Sequence, residues 1–228
     1  MVSHRNGGAS DPSSMLAPGA GIGFDAIPPA PATLADPALR AAYESIMEVG
    51  LRRTTMAEVA RRARISRMTL YRRHADMNRL LSALLETELV ALVAARRAGV
   101  DVSLPAAARL AALTSQATAD VAAHPILDRV LRLDPQELLP LIVDRFGSTQ
   151  RSVRNQLVEL IAAGQAATGD SSIRAGDPQD MAVAILVTAQ SFVFSHHAIE
   201  AIDPKRIWVA ELRLLIAGYL KPSMSLHE

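Results

Sequence analysis

Cysteine is absent from the 228 residues, so a disulfide framework, a thiol nucleophile and a cysteine-based zinc site are all excluded. Aromatic residues make up only 4%, while alanine and leucine are abundant. That balance favours packed helices, because strands prefer aromatic and β-branched side chains. Lysine is nearly missing as well: of 24 basic residues only Lys205 and Lys221 are lysines. No apolar stretch stands behind a basic start in residues 1–35, so no secretory leader is expected there. The most apolar run, Met181 to Phe194, is interrupted by Thr188, Gln190 and Ser191, and it is shorter than the roughly 20 residues a spanning helix needs. A buried helix, no membrane segment and a cytoplasmic location are expected. Also missing are a nucleophile elbow, a Walker loop and a His-Glu-x-x-His pattern, so no enzymatic activity and no cofactor are expected. Glycine-rich GAGIGF (Gly19 to Phe24) lacks the preceding strand and following helix that a phosphate-cradling loop requires.

What is present is concentrated charge. Between Gly50 and Leu80, nine arginines (Arg52, Arg53, Arg61, Arg62, Arg64, Arg67, Arg72, Arg73 and Arg79) face only Glu58 and Asp76, a net +7. The whole chain carries +1, so the other residues are near −6. A compact basic segment on a near-neutral chain is the electrostatic footprint of a module that neutralises DNA phosphates.

Half of the residues are hydrophobic, enough to bury a sizeable core in one or two domains. Residues 1–35 are rich in Gly and Pro and read as a disordered arm. From Asp36 the pattern turns helical, with Asp36 as N-cap and Pro37 at the first helical position. Gly50 ends that helix. Thr55 opens a second with Glu58 three residues on, a capping box, and Ser66 caps a third running to about His74. Asp76 caps a long fourth helix, about Met77 to Ala98. Five more helices are expected: Pro105 to Ala123, Pro125 to Leu133, Pro140 to about Ala163, Pro178 to about Ile199, and Pro204 to Leu220. A Gly-, Ser- and Asp-rich loop, Gly164 to Gly176, separates the third and fourth of these. The expected fold is all-α, with about nine helices. A three-helix basic bundle (residues 36–82) precedes a larger helical domain (83–223).

Helix Thr55–Arg62, turn Ala63–Ile65 and helix Ser66–His74 fit the geometry of a helix-turn-helix spanning about 55–74. TTMAEVARRARISRMTLYRRHADMNRLL resembles the DNA-binding signature of the tetracycline-repressor (TetR-like) family of one-component transcriptional regulators. The matching positions are Gly50, Thr55, Val59-Ala60, Ile65-Ser66, Thr69-Leu70-Tyr71 and Leu80-Leu81, and the match covers about residues 38–85. GQAATGDSSIRAGDPQDMA (Gly164 to Ala182) is similar to the segment before that family's dimerisation helices. Three positions depart from the pattern: Arg64 stands where the family usually has a turn glycine, His74 replaces an aromatic, and Met77 replaces a lysine. A non-glycine residue in the left-handed conformation such a turn uses is uncommon.

Side-chain chemistry assigns candidate DNA contacts. The Thr55 hydroxyl can meet a phosphate. Arg67, Met68 and Thr69 open the recognition helix and are candidates for base edges, Arg with guanine and Met or Thr with a thymine methyl. Tyr71 and Arg72 are candidates for phosphate, with Arg73 and His74 as helpers and Arg64 and Ser66 at the turn. For Tyr71 core packing is the competing role.

The resemblance implies a small-molecule effector domain, a homodimer built on the last two helices, and a near-palindromic double-stranded DNA operator. A repressor released from that operator by its effector is the expectation. Small apolar side chains point to a hydrophobic effector, and Gln116, His124, Asp144, Arg151 and Asn155 are candidate polar groups of its pocket. Two other function classes remain: a helical protein-interaction adaptor, or an enzyme built around His196, His197 and Glu200. The latter shares one helix face but lacks an evident third zinc ligand, so no metal site is expected.

Overall fold

The computed structural model describes residues 31–137, 147–202 and 207–222. Among them are nine α-helices and no strand: α1 Pro37–Val49, α2 Met56–Arg62, α3 Arg67–Arg73, α4 Met77–Ala98, α5 Ala106–Ala122, α6 Pro125–Leu133, α7 Ser148–Ala166, α8 Pro178–Ile202 and α9 Trp208–Leu220. The all-α fold expected from composition is what forms. The expected helix starts at Pro140 and Pro204 lie outside the described residues.

Local chemistry sets the N-terminal boundaries. Asp36, Thr55, Ser66 and Asp76 are each in extended backbone, and each side chain accepts a hydrogen bond from an N–H of the helix it precedes. Such caps contribute about 0.5–2 kcal/mol apiece. The expected capping box at Thr55 forms only by half. Glu58 donates its N–H to Thr55 Oγ1 at 3.2 Å, but its carboxylate turns to the Arg61 guanidinium at 2.6–2.8 Å instead of back to the cap. A fixed opposite charge three residues away outcompetes a neutral backbone donor.

Gly50 closes α1 with φ +86° and donates its N–H to Ile46 O at 2.9 Å. From here the chain is tied to a distant helix. Asp134, buried just past α6, accepts from the N–H groups of Leu51 (2.8 Å) and Arg52 (3.3 Å).

Two hydrophobic clusters form the interior. One gathers α1 to α4 around Tyr43, Ile46, Val59, Leu70, Leu80 and Leu84, and takes in Ile126, Leu127 and Val130 of α6 and Val193 of α8. The other joins α5, α7, α8 and α9 around Leu110, Ile161, Met181, Ile185, Trp208 and Leu212. Thus α6 follows α5 in sequence but packs with the N-terminal helices. Leu34 is wholly buried, and the Thr33 hydroxyl donates to the buried Glu88 carboxylate of α4, so these last residues of the expected arm belong to the packed structure. Residues 1–30 lie outside the described region.

The loop before α8 starts three residues later than expected. Gly164 remains helical and buried inside α7, because a Cβ there would stand 2.4 Å from Ile173 Cδ1 and 3.0 Å from Ala106 Cβ. This glycine serves a close approach and not a break. The loop in turn caps α5, which has no side-chain cap of its own: Asp170 accepts from Ala106 N–H at 2.7 Å and Ser172 Oγ from Ala107 N–H at 3.1 Å. The Ser172 hydroxyl, with the N–H groups of Ala106 and Ser172, holds the Asp170 carboxyl below its usual range. The contribution of that contact is therefore present above the unfolded-state pKa and lost as pH falls through the folded one.

Helix α8 runs 25 residues, and an 18-residue window of it has mean hydropathy 1.4, so by length and composition alone it is long and apolar enough to cross a membrane, a test that the core helix of a soluble protein also passes. Met181, Ala182, Ile185, Leu186, Ala189 and Val193 bury one face against the protein interior. Val183 and Val187 stay exposed on another.

Candidate nucleic-acid interface and effector cavity

Leu70 is the anchor of α3, wholly buried among Val59, Ala60 and Leu80, and it turns the rest of the helix outward. Arg67, Arg72 and Arg73 are exposed, Met68 is 77% exposed and Tyr71 49%. Tyr71 is therefore not a core residue, which removes its competing role. Thr69 and His74 are half-buried. The hydroxyls of Ser66 and Thr69 share a hydrogen bond at 2.8 Å, and Thr69 N–H donates to Ser66 Oγ at 3.0 Å. That leaves the Thr69 methyl as the group free for apolar contact. Burial pushes the His74 imidazole below its ordinary pKa, opposed by Asp36.

The nine arginines separate into two groups. Arg61 pairs with Glu58, Arg62 with Glu48, and Arg73 with Asp36 at 3.2 Å. Arg52, Arg53, Arg64, Arg67, Arg72 and Arg79 have no carboxylate partner among the described residues. Unneutralised charge thus gathers around the turn and α3, while the paired arginines fasten helices to one another.

Arg64 adopts φ +55°, the sole positive-φ residue other than glycine among those described. The turn has kept its left-handed conformation without the glycine, at a strain of about 1–2 kcal/mol. Arg64→Gly should relieve it; after the larger unfolded-state entropy of glycine, roughly 0.4–1 kcal/mol, a net gain of up to about 1 kcal/mol remains. For a chain of this size that is a rise of about 2–4 °C in melting temperature. An unchanged or lower melting temperature would show that the turn is not strained.

A cavity of about 200 Å³ lies between α4, α5, α7 and α8. Its walls are mainly apolar, with Leu85, Leu89, Leu113, Leu186 and Phe194 among them; Gln150, Gln156 and Gln190 add polar groups, and Arg97 is the one cation among the described lining residues. Gln116, His124, Arg151 and Asn155 do not line it, and Asp144 lies outside the described residues. Gln116, Arg151 and Asn155 are exposed on helix surfaces, and Asn155 accepts from Arg154. His124 faces the buried Glu88 at 3.3 Å instead. Polarity located those candidates, but cavity lining depends on which helix faces meet, which no local pattern encodes.

The last two helices also carry an outer apolar face. Ile207, just before α9, is 52% exposed, Leu214 and Leu215 of α9 are 60% and 56% exposed, and Val187 of α8 is 52% exposed. On the opposite side Trp208, Leu212, Ile216 and Leu220 of α9 are buried.

Residues 38–84 match the family model described as bacterial regulatory proteins, tetR family. An uncharacterised HTH-type transcriptional regulator of Mycobacterium bovis is 27% identical over 183 residues, covering 80% of this chain and 92% of the relative. In structure the chain is similar to the transcriptional repressor QsdR of R. erythropolis (TM-score 0.62, 17% identity, 84% of this chain and 96% of that one). It is also similar to the fatty acid degradation regulator FadR of Bacillus halodurans (TM-score 0.56, 18% identity, 82% and 99%).

Proposed function

We propose, from the match of residues 38–84 to the tetR family model and the likeness to an HTH-type regulator, that the chain is a homodimeric repressor of that family whose DNA binding is relieved by a hydrophobic small molecule. Residues 36–82 are the DNA-reading unit and residues 83–223 receive the effector and the partner subunit. The observation that carries this reading is the exposed N-terminal half of α3, flanked by the unpaired Arg64, Arg67 and Arg72.

In this reading Arg67, Met68 and the Thr69 methyl face base edges in the major groove. The Thr55 hydroxyl, Ser66, Tyr71, Arg72 and Arg64 hold phosphates. Arg73 and His74 act as helpers, with Arg73 exchanging Asp36 for the DNA backbone. The outer faces of α8 and α9 join two copies, so that two α3 helices read half-sites about 34–36 Å apart on a near-palindromic operator.

The cavity supports an effector with a long apolar body, and Arg97 suits one with an anionic end. A fold neighbour that regulates fatty acid degradation agrees with that class. To act, such a ligand must favour one spacing of the two α3 helices over another, since equal affinity for both shifts nothing.

A salt-dependent titration of the protein against its own upstream region, beside a scrambled duplex, tests the proposal. Binding should be specific and should weaken steeply with salt. Tyr71→Ala should weaken binding to every sequence, whereas Arg67→Ala should cost about 1–3 kcal/mol and relax preference at one base position. If wild type and both variants bind alike, α3 is not the reading helix.

A further inference from the structure

The pair His196-His197 stands near the end of α8, and the fold brings it a third group from another helix. This is not Glu200, the carboxylate expected from sequence, but Asp128 in the first turn of α6. The ligand-type atoms of Asp128, His196 and His197 lie within 4.8 Å of one another.

His196 is 3% exposed, and its Nδ1 lies 2.6 Å from the Val193 carbonyl oxygen. A carbonyl only accepts, so Nδ1 carries the proton, and in the neutral ring Nε2 is a bare lone pair. That lone pair faces Asp128 Oδ1 across 4.0 Å, too far for a hydrogen bond. His197 Nε2 lies 2.6 Å from the same oxygen, and the two imidazole rings have centroids 3.9 Å apart. Two nitrogens therefore converge on one carboxylate oxygen, and the buried one meets it acceptor to acceptor.

We propose that Asp128, His196 and His197 form a binding site for a divalent transition-metal ion of the zinc class. Tetrahedral ligation at about 2.0–2.1 Å sets donor atoms roughly 3.3–3.4 Å apart. The observed separations of 2.6 and 4.0 Å fall on either side of that value, so small side-chain rotations reach it. His197 needs only its other neutral tautomer to present Nε2 as a donor. Imidazole nitrogens with a carboxylate suit zinc, copper, nickel or iron better than calcium or magnesium.

The surroundings are those a ligated ion needs. Metal-binding histidines usually donate their second ring N–H to a backbone carbonyl or carboxylate, as His196 does to Val193. Arg132 Nε donates to both Asp128 oxygens at 3.0 Å, which orients the carboxylate. The guanidinium opposes the ion's charge, so the site is weaker than one without it. The side chains of His197 and Asp128 are 30% and 34% exposed, which gives an entry path and room for a water as fourth ligand. An ion here clamps α6 to α8, and α6 is the helix whose far end holds Leu51 and Arg52 before the helix-turn-helix.

The test is calorimetric titration of ZnCl₂ into the untagged full chain after stripping with a chelator, with Co²⁺ absorption as a second readout. One ion per subunit should bind at micromolar concentration or below, and Co²⁺ should give the intense visible bands of a four-coordinate site. His197→Ala and Asp128→Asn alter partly exposed side chains, and circular dichroism of the metal-free variants checks that each is folded. Each should weaken Zn²⁺ binding by more than the roughly 10–100-fold that loss of an outer-shell partner costs, and abolish the Co²⁺ bands. His124→Ala, on a histidine outside the cluster, should leave both unchanged. Binding only at millimolar Zn²⁺, or unchanged affinity in the folded His197→Ala and Asp128→Asn variants, overturns the site.

Discussion

Leu214→Glu together with Leu215→Glu should convert the protein to a folded monomer and lower its operator affinity by about 10²–10⁴-fold, the contribution of linking two half-site contacts. Both side chains are more than half exposed in the single chain, so charging them removes no contact from the subunit's own core. That core is served from the other side of α9, by Trp208, Leu212, Ile216 and Leu220. In the proposed dimer the same two positions are desolvated, and an unpaired carboxylate there is strongly unfavourable. The helix axis even allows close approach: a Cβ at Gly218 would meet nothing within 4 Å. Sedimentation would read the assembly, and a half-site duplex would separate the two effects. Affinity for the half-site should be retained while affinity for the full operator falls. A variant that stays dimeric and binds as wild type would place the dimer contact on some other surface.

The parts of this architecture that were legible in the sequence are those fixed within one or two helical turns. Asp36, Thr55, Ser66 and Asp76 announce their helices because a short polar side chain two or three residues before a free N–H has one good use. The basic segment was equally plain, since charge is additive along a chain. What the sequence hid depends on pairs far apart in it. Glu88 sits in a leucine-rich stretch of α4 and yet is buried, satisfied by Thr33 from before α1 and by His124 from before α6. Its charge, after burial, helps raise the pKa of Tyr43. Asp128 gave no sign of meeting His197, 69 positions later. Gly164 looked like a loop residue because its real reason, contact with Ile173 and Ala106, is tertiary. The cavity walls were missed for the same cause: Gln156 and Gln190 carry no local mark that distinguishes them from the exposed Gln116.

Asp134→Ala should lower stability by about 2–3 kcal/mol, more than any cap removal in the chain. The carboxylate is 6% exposed and accepts from two consecutive backbone N–H groups, Leu51 at 2.8 Å and Arg52 at 3.3 Å. Alanine leaves both donors without that partner, and at the buried Leu51 the desolvation cost of an unmet donor is about 1–3 kcal/mol. Asp134→Asn keeps one acceptor oxygen of the same reach and should lose markedly less, so the pair distinguishes the hydrogen bonds from mere side-chain volume. Chemical denaturation of the two variants beside wild type is the measurement, and equal losses would refute the hydrogen-bond account. A functional effect should accompany the loss. Asp134 follows α6 and Leu51 precedes α2, so this contact fastens the helix-turn-helix to the helix that borders the effector cavity through Leu127. With the fastening gone, Asp134→Ala should bind DNA with a weakened response to effector even at temperatures where it remains folded. Asp134→Asn should retain most of that response.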